Sequence, residues 1–187
     1  LPGPGCADIF KQLRKAPRLD LDEEDRWRAR PYTELHATND KKYMTLSDNP
    51  PKDHWPVYKG ASFDIWNPDT GVYYASGDPE QMKQRLFEKR KRSSRYSRSP
   101  FHEFADEWIE NPETLPCLYT RIAFRDVSRS TDSRTVRAAL LPPEVFITNK
   151  GPYLLWPRGD RKDHAFLLGV LCSMPLDWYA RRYDNVQ

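Results

Sequence analysis

Cysteine is scarce, and the few present are poorly placed for chemistry. Cys6, Cys117 and Cys172 are odd in number, far apart and set among apolar residues, without spaced His or Cys partners. That pattern excludes a disulfide framework and implies reduced intracellular thiols. No thiol lies in an electropositive or turn context, so a cysteine nucleophile is not supported. The four histidines, His36, His54, His102 and His164, lack zinc-type spacing. Glycine is also thin, at eight, and no Gly-rich loop follows a strand to cradle a nucleoside cofactor. Long hydrophobic runs are missing: the longest, Ala165 to Cys172, is too short to span a bilayer. Leu1-Pro2-Gly3-Pro4-Gly5 lacks the basic-then-apolar layout of a secretion signal. A cytoplasmic protein with no membrane partner is therefore expected. The start without Met, and a stop at Asn185-Val186-Gln187 just beyond an apparent helix, read as an excised piece of a longer polypeptide.

Metal-dependent carboxylate nucleases need an Asp and a Glu-x-Lys at a strand end. Asp64, Glu80 and Glu88 are followed by helix-like sequence and do not supply it. Asn49-Pro50-Pro51-Lys52 approaches the Asn-Pro-Pro-aromatic loop that grips adenine or cytosine amino groups, but Lys52 stands where a ring must stack on the base. It reads as a proline turn. The sequence offers binding surfaces and no catalytic residue.

What is present is aromatic and charged. The 187 residues are 38% apolar with 13% aromatics, six of them Trp and ten Tyr, so a lean core is expected with rings left over for contacts. Thirty basic residues against twenty-seven acidic ones give a net charge of only +3. Distribution along the chain must therefore identify the partner.

Ala7 to Ala16 has helical spacing, and the acidic-then-basic stretch from Asp20 to Arg30 is a connector with Trp27 tucked in; residues 1–30 form an N-terminal helix and connector, and 31–187 the main domain. Trp55 to Ala75 alternates around the turn Asn67-Pro68-Asp69-Thr70-Gly71 and reads as a hairpin, with Val57, Phe63 and Ile65 on one face and Tyr58, Asp64 and Trp66 on the other. Pro79 to Arg92 is a helix capped by Asp78, with Pro79 first and Glu80 in its opening turn. Pro100 to Asn111 reads as a further helix with Glu103 outward. Glu144 to Thr148 and Tyr153 to Trp156 make another hairpin, extending a meander. Asp163 to Ser173 and Pro175 to Tyr183 close the chain as helices, the first beneath the sheet. The fold class is α+β: an antiparallel sheet built from hairpins, with several packing helices.

Two stretches concentrate positive charge. Between Lys83 and Arg98 eight basic residues face one acid, Glu88, an electrostatic footprint for phosphates supplied by Arg90, Lys91, Arg92, Arg95 and Arg98. The second is the hairpin from Arg121 to Pro143. Period-two alternation sets Leu118, Ile122, Phe124, Val136, Ala138 and Leu140 on a core face and Arg121, Arg125, Thr135 and Arg137 on the other. Arg129 and Arg134 flank its polar turn, where paired donors match the two acceptors of guanine. Asp126 or Asp132 would tie down neighbouring arginines.

The order Trp27-Arg28-Ala29-Arg30-Pro31, His36-Ala37-Thr38-Asn39-Asp40, Pro56-Val57-Tyr58-Lys59-Gly60 leading to Phe63-Asp64, the Arg121 to Pro143 block and Leu176-Asp177-Trp178-Tyr179-Ala180-Arg181-Arg182 resembles the C-terminal part of adenine-specific DNA methyltransferases. The nearest kinds are type IIG restriction-modification and phage-defence enzymes. The resemblance covers roughly Arg26 to the C-terminus and is most specific at the Arg121 block. It implies a target recognition domain that selects the DNA sequence and is not itself catalytic. S-adenosylmethionine, the base-binding loop and any endonuclease would belong to upstream parts of the parent chain. The implied partners are double-stranded DNA and the methyltransferase domain of the same chain. Lys59 departs from the family pattern and adds a phosphate contact. The alternative is a protein-interaction or interdomain docking module of a defence system, without direct DNA contact, using Tyr58, Trp66 and Tyr73.

Overall fold

The computed structural model describes residues 5–19, 21, 27–129 and 131–184; most of the acidic segment 20–25, Arg26 and both chain ends lie outside it. The fold is α+β. Helix α1 (Cys6–Leu13) is followed by β1 (Arg30–Tyr32), β2 (Trp55–Tyr58), β3 (Ala75–Gly77), α2 (Pro79–Ser93), α3 (Asp106–Glu110), β4 (Arg121–Phe124), β5 (Ala138–Leu141), β6 (Phe146–Ile147), β7 (Tyr153–Leu155), α4 (Arg161–Leu171) and α5 (Met174–Asp184). An antiparallel sheet has the order β1-β7-β4-β5, and a smaller mixed sheet the order β3-β2-β6.

The β4–β5 pairing is the expected hairpin, with Arg121 opposite Leu141 and Phe124 opposite Ala138. The meander is not formed. Strand β6 leaves to pair in parallel with β2 of the smaller sheet, Val57 against Phe146, while β7 inserts between β1 and β4. The reason is burial: Phe146 and Ile147 are both fully enclosed, and a strand apolar on both sides needs neighbours that a two-stranded ribbon cannot give. Likewise β2 pairs with β3 only after the chain has completed the excursion 59–74, so the alternating run through Trp66 is a loop and not a strand arm.

The larger sheet is covered on both faces. Ala123, Ala139, Leu141 and Tyr153 look into the core shared with Tyr58, Phe63 and Ile147, and Ile122 and Ala138 look toward Trp156, Leu167 and Cys172. Alternation therefore separates two cores there, and the face expected to carry charge is interior. Leu140, expected in the core, is 39% exposed. Helix α2 lies against the smaller sheet through Met82 and Leu86; Asp78 accepts from the Gln81 amide at 2.7 Å, as its capping position requires. The expected helix at Pro100 breaks into a 3₁₀ turn, Pro100–Glu103, and α3, with Phe104 and Ala105 extended between them. The break turns Glu103 inward to receive Arg28 and Arg30. Burial alone would raise the Glu103 pKa; the hydrogen bonds from both arginines outweigh it and hold the carboxyl below its ordinary value. Helix α4 lies against the larger sheet, as expected, with Leu167 packed on Ile122 and Ala138, but it is covered on one side only, and Phe166 and Val170 are exposed.

A buried ion pair joins the two sheets. Glu34 and Arg121 are 1% and 4% exposed. Arg121 donates to the Val145 carbonyl at 2.8 Å and lies 3.5 Å from Glu34. Glu34 accepts the Ile147 amide at 3.1 Å, so β4 and β6 are fastened through one carboxylate. Burial pushes the Glu34 carboxyl up, with Arg121 opposing. Such a pair holds the geometry because removing either member strands the other charge away from water.

Candidate nucleic-acid interface

The two basic stretches divide into struts and surface cations. On α2, Arg90 is 1% exposed. It donates to the Asn111 carbonyl at 2.7 Å and the Thr114 hydroxyl at 3.0 Å, beneath the Trp108 ring at 4.7 Å. It braces the turn after α3 and presents nothing to a phosphate. Lys91 pairs with Glu110 at 2.5 Å. Lys89 donates to the Thr33 and Glu34 carbonyls and Arg85 reaches Asp40. Arg92, Arg95 and Arg98 are exposed as expected. Arg92, Arg95 and Lys91 border a shallow depression floored by Phe87.

On the hairpin, Arg121 is the buried strut just described. Arg134 donates to the Cys172 and Ser173 carbonyls at 2.6 and 3.1 Å and approaches Asp177 at 3.5 Å. It caps the end of α4, where unsatisfied carbonyls favour a cation, and is not aimed at solvent. Asp177 accepts the Thr135 and Val136 amides at 2.7 and 2.8 Å, and Arg181 holds the Asp132 carbonyl at 2.7 Å. The turn is thus pinned to α5. Neither expected aspartate holds an arginine side chain: Asp132 accepts the Arg129 amide at 2.9 Å, and Asp126 stands 3.9 Å from Lys150.

Asp64 is the hub of what remains. It bonds Arg137 at 2.7 Å and lies 3.3 Å from Arg125, while Arg125 also donates to the Phe63 carbonyl at 2.9 Å. Two guanidiniums share one carboxylate, so both are positioned and one positive charge is left over. Three segments meet there. The Asp126 amide donates to the Lys150 carbonyl at 3.3 Å, and Gly60 lies so close to that carbonyl that a Cβ would stand 2.9 Å from it. Lys59, half-buried and next to Gly60, and Lys150, more than half exposed, lie on the segments that meet here, and Arg129, exposed, follows on the turn beyond Asp126. The cluster holds five cations, Lys59, Arg125, Arg129, Arg137 and Lys150, against Asp64, Asp126 and Asp132. The sequence reading missed Lys150 and the role of Asp64; a lysine in the turn Asn149-Lys150-Gly151 was the available signal.

The glycines at the two strand-to-helix junctions leave no open phosphate cradle. Where β3 runs into α2 the single glycine, Gly77, has its Cβ space filled by Met82 at 2.9 Å, and Gly159, before α4, has Trp156 at 2.4 Å. Among the described residues no group of His, Cys, Asp and Glu could hold a metal ion, and no helix is long and apolar enough to cross a membrane. A cavity of about 860 Å³ lies between α1, α4 and α5, lined by Leu13, Trp27, Phe166 and Tyr179 among others. No protein-family model matches the sequence, and comparison with curated proteins yields no significant match.

Proposed function

We propose that this chain binds double-stranded DNA in the cytoplasm as the target recognition domain of an S-adenosylmethionine-dependent adenine-N6 methyltransferase of the restriction-modification kind. The observation that carries the reading is the meeting of three segments that carry Lys59, Arg125, Arg129, Arg137 and Lys150, with Asp64 holding Arg125 and Arg137. Arginines whose forks are fixed by a carboxylate are preorganised for planar acceptors, and flanking cations without buried partners suit phosphates. Arg92, Arg95 and Arg98 add a second phosphate-binding surface. The similarity of the Arg121 to Pro143 block to adenine methyltransferases supplies the enzyme class; S-adenosylmethionine and the chemistry belong to the parent chain. In this reading Arg90, Arg121 and Arg134 build the scaffold.

The test is fluorescence anisotropy with a labelled duplex, comparing wild type with K59A/R129A/K150A. Loss of three phosphate contacts weakens binding to all sequences alike. Unchanged affinity in the triple variant contradicts the reading. The apolar groove between α1, α4 and α5 favours a second reading, a docking module for another domain; its signature is binding that responds weakly to salt.

A further inference from the structure

We infer that Trp66 is a nucleobase-stacking residue, presented beside the cation cluster to take the face of a base unstacked from the duplex. The inference rests on the DNA-binding reading above.

Trp66 stands apart from the other five tryptophans, all of them within the described residues. It is 67% exposed, whereas Trp156 is buried and Trp27, Trp55, Trp108 and Trp178 are half-buried. Its backbone has a φ of 60°, a region that bulky side chains rarely adopt and that costs free energy unless the surroundings impose it. The surroundings do impose it. Asp64 and Asn67 exchange backbone hydrogen bonds at 2.9 Å in both directions across the turn. The Asp64 carboxylate accepts the Ile65 amide at 2.8 Å. Ile65 packs inward with Ile122, Ala138 and Cys172. The backbone of the turn is fixed by these bonds, and the Trp66 ring is turned out.

A structural purpose would bury the ring, because an indole recovers its cost by contact area. Here the chain holds a strained backbone to keep a large apolar surface in water. The same carboxylate that closes the turn, Asp64, orients Arg125 and Arg137, so ring and guanidiniums are placed by one hub. That combination suits one ligand chemistry: a π-face flanked by anionic phosphates. Aromatic stacking on bases is sequence-tolerant, and a base that is mismatched or already open is the least costly to unstack.

The experiment titrates wild type, W66A, W66F and W66N with a fully paired duplex and with the same duplex carrying a central mismatch, and records a thermal melt for each protein. Wild type binds the mismatched duplex more tightly, and its tryptophan emission falls on saturation. W66A and W66N weaken mismatch binding by roughly 5-fold to 150-fold, the range one lost base–aromatic stack gives. W66F keeps most of the affinity and loses the emission change. W66N, whose residue tolerates positive φ, melts no lower than wild type, which separates a binding role from a folding one. Equal affinity of W66A and wild type for the mismatched duplex, or an emission change that persists in W66F, overturns the stacking inference while leaving DNA binding intact. Failure of wild type to bind either duplex overturns the DNA reading and this inference with it.

Discussion

Replacing Arg90 by alanine distinguishes a scaffold arginine from a phosphate contact. The guanidinium is enclosed, donates to Asn111 at 2.7 Å and Thr114 at 3.0 Å, and lies under Trp108. Burial pulls its pKa down, a sign that the desolvation cost is real. Hydrogen bonds from a charged donor contribute about 1.5–3 kcal/mol each, and a desolvated cation–π contact about 2 kcal/mol. Desolvation offsets part of this, and the contacts are not additive, so a net loss of about 3–5 kcal/mol is expected, the range for breaking a buried charged constellation. In urea, with a slope of about 2 kcal/mol per molar, the unfolding midpoint falls by about 2 M. R90M, which keeps the stem packing, falls about half as far by the same reasoning. R92A and R95A stay within about 0.5 kcal/mol of wild type, as exposed substitutions do. A midpoint for R90A unchanged from wild type, with weakened DNA binding, refutes the assignment.

Acid titration tests the Glu103 clasp. A carboxyl held below its ordinary 4.5 stabilises the fold fully above that value and loses the contribution as pH falls through the lower folded pKa. Urea unfolding across this acid range therefore shows E103Q less stable than wild type at neutral pH, with the difference vanishing in strong acid. D64N removes the hub charge while keeping the amide-accepting oxygen. Stability drops by about 1 kcal/mol, and non-specific duplex affinity rises about fivefold, because one charge near a phosphate in water is worth about 1 kcal/mol; anisotropy against a random duplex measures it.

Local signals in the sequence carried local structure. Asp78-Pro79-Glu80 gives the start of α2, and Asn67 to Gly71 gives a turn in which Gly71 has a φ of 76°. The β4–β5 arms pair as their alternation indicates. Partner choice was not legible. Strand β6 joins β2 from far back in the chain, and nothing in Phe146-Ile147 distinguishes that parallel neighbour from a hairpin return. Alternation failed at Arg121 because both faces of its sheet are covered, so a charged position between apolar ones marked an interior pair with Glu34. Arg90 was unreadable for a related reason: its partners are a carbonyl, a hydroxyl and a ring on the segment 108–114. The cluster at Asp64 was half legible, since Lys59, Arg125, Arg129 and Arg137 stood out as charges, while the carboxylate that organises them acts across more than sixty residues.

The most direct measurement of the central claim is duplex affinity as a function of salt. Lys59, Arg92, Arg95, Arg98, Arg129 and Lys150 neutralise about six phosphates, so log K falls with log salt at a slope near −5, about a thousandfold between about 50 and 200 mM. A slope near zero, with binding intact, contradicts the account, because phosphate neutralisation would then contribute nothing.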